Sequence, residues 1–257
     1  MTLYVIGLGL GDEKDISVKG LEIIKSCNKI YVENYTSLLQ CSREDLEQFY
    51  GKKIILANRN LSEQGADQII EEAKDQEIAF LVIGDPFSAT THIQLFKSAQ
   101  EKNIKVKIIN NASILTAVGI TGLELYKFGK TTSIPFPENI PHLETPYNVL
   151  KDNLSLGLHT LFLLDLNPEK NKFMTIRQAL EILENIEKNK QQELMTSETI
   201  VIGCARLGTD NYTIKAGKIS ELKQHDFGKA PYCFIIPGKL HFTEEEMLEY
   251  WKNKKTL

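Results

Sequence analysis

Short apolar runs punctuate the first part of the chain: "LYVIG", "KIYVEN", "KKIIL", "EIAFLVIGDP" and "IKVKIIN". Continuous runs of this kind, rich in Ile and Val, mark strands buried on both faces of a parallel sheet. Between them the apolar positions take helical spacing. In "SVKGLEIIKSC" they fall at Val18, Leu21, Ile24 and Cys27, and "SREDLEQFY", "SEQGADQIIEEAKD" and "ATTHIQLFKSAQEKN" read as further helices. Strands alternating with helices at this spacing predict an α/β layer around a mainly parallel sheet. "ASILTAVGITGLELY" then begins as a helix and is interrupted by Gly119 and Gly122.

The pattern breaks at Pro135, Pro137, Pro141 and Pro146, half of the chain's 8 prolines. Proline donates nothing to a sheet and interrupts helices, so residues 135–146 are expected to form an extended linker. Beyond it come a helix at "PYNVLKDNLSLG", a strand at "HTLFLLDL" and a long helix at "MTIRQALEILENIEKNK". Strands at "ETIVIGCA", "NYTIKAGKI" and "YCFIIPG" follow, then a last helix at "TEEEMLEYWKN". This half is α+β in character. The expected architecture is therefore α/β in two domains, an N-terminal α/β domain over 1–136 and a C-terminal α+β domain over 137–257, without internal repeats.

Composition narrows the functional classes. The 257 residues are 42% hydrophobic and 25% charged, an ordinary soluble profile. Acidic residues number 34 against 30 basic ones, and no stretch gathers Lys and Arg, which argues against nucleic acid as a partner. Cys27, Cys41, Cys204 and Cys233 show no C-x-x-C spacing, and His92, His142, His159, His225 and His241 form no H-x-x-x-H pair. No metal site is expected, and the cysteines read as buried hydrophobes of a reducing compartment. The first strand begins at once, without the segments of a signal peptide, and no apolar run is long enough to span a bilayer. A cytoplasmic protein with no membrane contact is expected.

"YVIGLGLGD" carries the first candidate chemistry. A dinucleotide fingerprint needs G-x-G-x-x-G with a helix opening at the glycines. Here Gly7, Gly9 and Gly11 are spaced G-x-G-x-G, the helical stripe starts only near Ser17, and Asp12, Glu13 and Asp15 would repel a pyrophosphate. A dehydrogenase is thereby disfavoured, even with Glu33 ending the second strand. What remains is a tight loop at a strand's C-terminal end, the place where ligands of open α/β sheets collect. "VIGDPFSATTH" offers a second such end: Asp85 brings a carboxylate, and Ser88, Thr90 and Thr91 lead into a helix that they can cap. "NASI" offers a third at Ser113 and Ile114. Three strand ends converging on one crevice favour a small-molecule site.

Taken in order, "GLGLGD", "GDPFSATTH", "NASILTAVGITGLELYKFGKTTSIPFP", "TPYNVLKDNLSLGLHTLFLLDL", "ARLGTDN" and "PGKLHF" resemble the diphthine synthases of archaeal type. These are members of the tetrapyrrole (precorrin-like) methyltransferase family. The resemblance implies the two-domain tetrapyrrole-methylase fold, a homodimer, and S-adenosyl-L-methionine in the cleft between the domains, with S-adenosyl-L-homocysteine as product. It also implies repeated N-methylation of the 3-amino-3-carboxypropyl-histidine of translation elongation factor 2, giving diphthine. Carried over by motif, the cofactor contacts are Leu10, Asp85, Ser88, Ser113, Ile114, Leu166 and Leu207. Tyr232 joins them, standing where similar sequences carry a histidine.

Methyl transfer from a sulfonium needs placement of a neutral amine more than an ionisable group, and the sequence identifies no catalytic base. Tyr126, Phe128 and Phe136 are candidates for an aromatic wall facing a trimethylammonium product. The competing readings are a methyltransferase of the same fold acting on a tetrapyrrole or on RNA, and a binding module that has lost activity. An acidic chain without a basic cluster counts against the first, and the intact Asp85 and "NASI" turns against the second.

Overall fold

The structure is a computed structural model and describes residues 1–35, 37–58, 66–88, 92–140 and 143–253. Thr90, Thr91, Pro141 and His142 lie outside the described residues. The chain divides into two compact units, Met1–Ala117 with Gly208–Asp210, and Val118–Leu207 with Asn211–Leu257.

The first unit runs β1 (Thr2–Gly7), α1 (Val18–Ser26), β2 (Lys29–Glu33), α2 (Arg43–Tyr50), β3 (Ile54–Ala57), α3 (Ala66–Glu72), β4 (Ile78–Val82), α4 (Ile93–Glu101), β5 (Lys105–Ile109) and α5 (Ile114–Ala117). Its strands form a parallel sheet in the order β3-β2-β4-β1-β5. From β1 the chain winds outward through β2 to β3, then returns to β4 beside β1 and passes on to β5. Right-handed crossovers then require α1 and α2 on one face and α3 and α4 on the other. The packing agrees. Ile24, Leu46 and Tyr50 cluster with Ile6, Ile30, Val32 and Leu81. Ile69, Ile70, Leu95 and Ala99 cluster with Leu3, Val5, Tyr31 and Phe80. Successive side chains of β1, β2 and β4 alternate between the two cores, which is why these strands read as unbroken apolar runs. Ser17 caps α1 by accepting from Gly20 N, and Ser42 and Asp45 form a capping box on α2.

The second unit contains β6 (Thr132–Ile134), α6 (Thr145–Ser155), β7 (Thr160–Leu164), the short hairpin β8 (Leu166–Asn167) and β9 (Lys172–Phe173), α7 (Ile176–Lys190), β10 (Ile200–Ala205), β11 (Thr213–Lys218), α8 (Ile219–Leu222), β12 (Tyr232–Ile236) and α9 (Phe242–Asn253). Its main sheet has the order β11-β10-β12-β7-β6, antiparallel except for the β6–β7 pair. Phe162 and Phe234, opposite each other on β7 and β12, stack at 4.6 Å in its core.

The units divide at Ala117/Val118, earlier than the boundary expected at residue 136, and residues 118–136 pack in the second unit. Nor does the proline-rich stretch behave as a linker. Ile134 and Phe136 are buried in the second core, Phe136 N donates to Asp165 Oδ2 at 2.9 Å, and Pro146 starts α6. The prolines end β6 and begin α6, positions where a missing N–H is tolerated.

A buried carboxylate ties this early segment to α9. Glu244 is fully buried and accepts from Glu124 N at 2.9 Å, His241 N at 2.7 Å, His159 Nε2 at 2.9 Å and the Lys127 ammonium. Burial alone would raise its pKa, but the Lys127 ammonium and the other donors outweigh burial and hold it down at about 2. Gly238 N donates to His159 Nδ1 at 3.0 Å, so Nε2 carries the proton and the imidazole stays neutral. Trp251, on the same helix, donates its indole N–H to Thr121 O at 2.9 Å. Replacing Glu244 with Ala is expected to destabilise the second unit by about 3–5 kcal/mol, because a partly buried ammonium and three further donors lose their buried acceptor. Urea unfolding followed by the fluorescence of Trp251, the chain's 1 tryptophan, would read it; an unchanged midpoint contradicts this account.

Candidate functional site

In a doubly wound sheet the crevice opens where neighbouring strands send their connections to opposite faces. Here that point lies between β1, followed by α1, and β4, followed by α4. Past the strand ends the two loops remain joined. Gly84 N donates to Gly9 O at 2.8 Å and Gly9 N to Gly84 O at 3.3 Å, an isolated antiparallel bridge. Gly9 has φ +80°, and a Cβ there would fall 2.6 Å from that of Asp15. The loop therefore needs glycine both for its backbone and for space.

Two aspartates fill the loop donors from within. Asp15 Oδ2 accepts from Leu10 N at 3.2 Å and Gly11 N at 2.7 Å. A carboxylate of the chain thus stands where a dinucleotide-binding loop would hold phosphate, which removes the pyrophosphate reading on contact chemistry as well as on spacing. Asp85 is buried and organises the second and third loops. Its Oδ1 accepts from Phe87 N and Ser88 Oγ, both at 3.1 Å, and its Oδ2 from Asn110 Nδ2 at 2.9 Å and Asn111 N at 3.1 Å. Burial raises its pKa, and the hydrogen bonds, led by that from Asn110, more than reverse this, so it lies below the usual carboxylate range. With four protein donors on two oxygens, this carboxylate is a brace between loops rather than a free ligand for ribose or ammonium groups. Asn111 completes the brace, donating to Gly7 O at 2.9 Å and Asp15 O at 3.0 Å.

Leu10, Asp85, Ser88, Ser113 and Ile114 are thereby brought to one edge of the first unit. A Cβ on Gly84 would lie 3.6 Å from Leu10 Cδ2 and 3.7 Å from Ala112 O, so the three loops are in mutual contact. Gly208, at φ +89°, packs flat on Leu10: an added Cβ would fall 2.7 Å from the leucine Cβ. Ser113 is buried, and its carbonyl accepts from Thr116 N and Ala117 N at the start of α5. Asp15, Asn110 and Asn111 are the residues that motif reasoning left out. The signal for Asp15 was its place among acids directly after the glycines.

The second unit gathers Leu166, Leu207 and Tyr232 in the same way. Leu163, Cys233 and Cys204 are in register on β7, β12 and β10, so these residues lie at one end of three adjacent strands. Asp165 closes β7: it accepts from Leu166 N at 2.9 Å, Phe136 N at 2.9 Å and Asn139 Nδ2 at 3.0 Å. Buried Arg206 shapes the turn before Leu207, donating to Asn211 O, Phe227 O, Lys229 O and Thr213 Oγ1. Tyr232 donates its hydroxyl to Gly228 O.

The three proposed aromatics do not form one wall. Phe128 packs edge-on against His159, before β7, whereas Phe136 is held by Asp165, after it. Tyr126 is 81% exposed. Glu33 is buried and accepts from Ile83 N at 3.1 Å, a structural role rather than a ribose contact. His92 is buried against Phe80, with Nε2 at 3.4 Å from Tyr35 Oη, and burial pushes its pKa down to about 4. Among the described residues no group of three or more His, Cys, Asp or Glu is arranged to hold a metal ion, and no helix is long and apolar enough to cross a membrane.

Residues 2–223 match the family model of the Tetrapyrrole (Corrin/Porphyrin) Methylases. The chain belongs to the tetrapyrrole methylase family. Within that family it is 48% identical to the diphthine synthase of Methanocaldococcus jannaschii, over 96% of this chain and 98% of the relative. It is 43% identical to the diphthine methyl ester synthase of Dictyostelium discoideum, over 99% of this chain and 100% of the relative. A solved diphthine synthase structure superposes with a TM-score of 0.89 at 39% identity, over 98% of this chain and 96% of that one. A tetrapyrrole methylase is a methyltransferase, so the dehydrogenase reading ends here.

The site braces make two expectations. Replacing Asp15 with Ala should leave Leu10 and Gly11 N–H without their internal acceptor and destabilise the first unit by about 1–3 kcal/mol. Amide exchange at those two positions should quicken, and unchanged exchange would contradict the brace. His92 sets a pH dependence. Its folded pKa of about 4 lies below the ordinary 6.5, so between these values the unfolded chain binds a proton that the folded one refuses. Stability is full above the ordinary value and falls by about 3 kcal/mol as pH drops through that window. Urea midpoints at both ends of the window, for the wild type and for His92→Gln, measure it; the variant should show the flatter profile.

Proposed function

We propose that this tetrapyrrole methylase is a diphthine synthase. It would use S-adenosyl-L-methionine to methylate, repeatedly, the amino group of 3-amino-3-carboxypropyl-histidine on translation elongation factor 2. The observation that carries the reading is identity of 48% with a diphthine synthase across nearly the whole of both chains, second unit included. A relative matched only in fold would leave the substrate open.

The residues present suit this cofactor. The candidate positions of the first unit, Leu10, Asp85, Ser88, Ser113 and Ile114, include no Lys or Arg, and the loops are braced by Asp15 and Asp85. That donor set disfavours a polyanion and accepts a sulfonium. Leu10 N–H is taken by Asp15, which leaves its carbonyl and its side chain to a ligand. Ser88 gives its hydroxyl proton to Asp85, which leaves the oxygen as an acceptor. In the second unit the candidate contacts are Leu166, Leu207 and Tyr232, and since the tyrosine hydroxyl is committed to Gly228 O, that residue has its main chain to offer.

When bound, S-adenosyl-L-methionine supplies a methyl group already activated by the sulfonium. The chain's residues have to orient it, exclude water and present the amine in its neutral form. No side chain at these positions is a free base, so the amine has to be delivered in its neutral form. The second reading is methyl ester formation on the same substrate, favoured by the 43% identity with the Dictyostelium discoideum enzyme.

The deciding experiment incubates the protein with S-adenosyl-L-methionine and elongation factor 2 carrying the aminocarboxypropyl-histidine, and follows the modified peptide by mass spectrometry. Three successive methyl additions are expected. A fourth, lost on mild alkaline hydrolysis, would give the ester reading, and no addition would overturn both.

A further inference from the structure

Phe136 carries a cation on its ring. Lys172 Nζ lies 4.0 Å from the ring centroid, and the same ammonium pairs with the carboxylate of Glu138. An aromatic face and a carboxylate converging on one ammonium are the elements with which proteins hold alkylated amines. The platform is rigid where it has to be. Phe136 is buried in the second core, its N–H is fixed by Asp165 Oδ2, and the next donor on that oxygen is Asn139 Nδ2. The occupant is not rigid: the Lys172 side chain is 43% exposed and that of Glu138 59% exposed. An exposed ion pair of this kind contributes little to stability, so its displacement is cheap.

The place is also telling. Lys172 is on β9, paired with Asn167 of β8, next to Leu166. Asp165 holds both Leu166 N and Phe136 N. The aromatic face is therefore tied by one carboxylate to a candidate cofactor contact.

We propose that Phe136 and Glu138 form a receptor for a methylated ammonium group, with the Lys172 ammonium as its resident stand-in. This rests on the reading of the protein as a diphthine synthase for its natural occupant, the amine of the substrate as it gains methyl groups, but not for the receptor itself. A primary ammonium is strongly hydrated and donates hydrogen bonds to water. Each methyl group removes a donor and adds a surface that packs on the ring, so affinity for the site rises with the extent of methylation. Lys172 competes with the least methylated forms and yields to the most methylated. The receptor therefore favours completion of the methylation series.

Tetramethylammonium chloride is the probe, titrated into the whole protein by calorimetry and by amide shifts around Leu166, with ammonium chloride as control. Lys172→Ala removes the stand-in and is expected to bind tetramethylammonium at least tenfold more tightly than the wild type, with no such gain for ammonium. Adding Glu138→Gln, an exposed change that leaves the core intact, should cancel most of the gain, as should adding Phe136→Leu. Equal binding by wild type and Lys172→Ala overturns the proposal, and so does a gain that survives Glu138→Gln. Tetramethylammonium binding without methyl transfer to elongation factor 2 would keep the receptor and remove the proposed function. Transfer without such binding would do the reverse.

Discussion

The backbone pairing of Gly9 with Gly84 is the constraint on which the first unit's chemistry depends. It sits where the winding of the parallel sheet reverses, at a pair of adjacent strand ends that send their connections to opposite faces. Left alone, such loops diverge and expose unpaired N–H and C=O groups. Here the pairing holds them together, two aspartates accept from N–H groups that remain, and the Asn111 side chain donates to Gly7 O. An edge finished in this way offers carbonyl oxygens, a serine oxygen and leucine and isoleucine side chains. Its polarity is that of an acceptor surface, the reverse of a phosphate-binding loop. The acceptor character of this edge is thus written into loop bracing rather than into an ionisable side chain.

The second unit solves a parallel problem with the opposite charge. Arg206 is buried and gives its guanidinium protons to carbonyls on separate stretches, fixing the turns around Leu207 and Tyr232. Asp165 does the same for backbone N–H groups beside Leu166. A buried ion is tolerated where its donors or acceptors are used, and Arg206 meets that condition mainly through backbone carbonyls, with Thr213 Oγ1 beside them. Glu244 extends the pattern to the base of the unit, where a carboxylate on α9 holds the segment that precedes β6. That bond explains why the segment belongs with the second unit.

Much of this was legible in the sequence. The apolar runs marked β1, β2 and β4 because alternating residues of these strands feed two cores, β3 and β5 showed shorter runs at the sheet edges, and the helical stripes marked α1, α2, α4 and α7. The convergence of the loops after β1, β4 and β5 followed from topology. The braces were not legible, since Asp15, Asn111 and Asp165 act through partners that are distant in sequence or hidden in turns that no periodicity reveals. Strand β6 is too short to show a pattern, and the prolines beside it suggested a linker where they instead cap two elements. Phe136 read as a candidate wall residue, but only the structure brings Lys172 over its ring.

A site assembled from main chain explains why side-chain reasoning found no catalytic base. Asp85, Arg206 and Tyr232 spend their side-chain polar atoms on the protein itself, and Asp15 spends its Oδ2 there. Beside the Ser88 oxygen and the Leu10 and Ile114 side chains, what remains for a ligand is backbone, whose geometry a substitution alters by breaking a brace. Tyr232 illustrates the point. Its hydroxyl closes on Gly228 O within the same loop, and the strand it begins pairs with Ala205 through the backbone, regardless of the ring. For a reaction whose methyl group arrives already activated, a scaffold that fixes positions suffices, because the barrier is lowered by alignment and exclusion of water rather than by proton transfer from the protein.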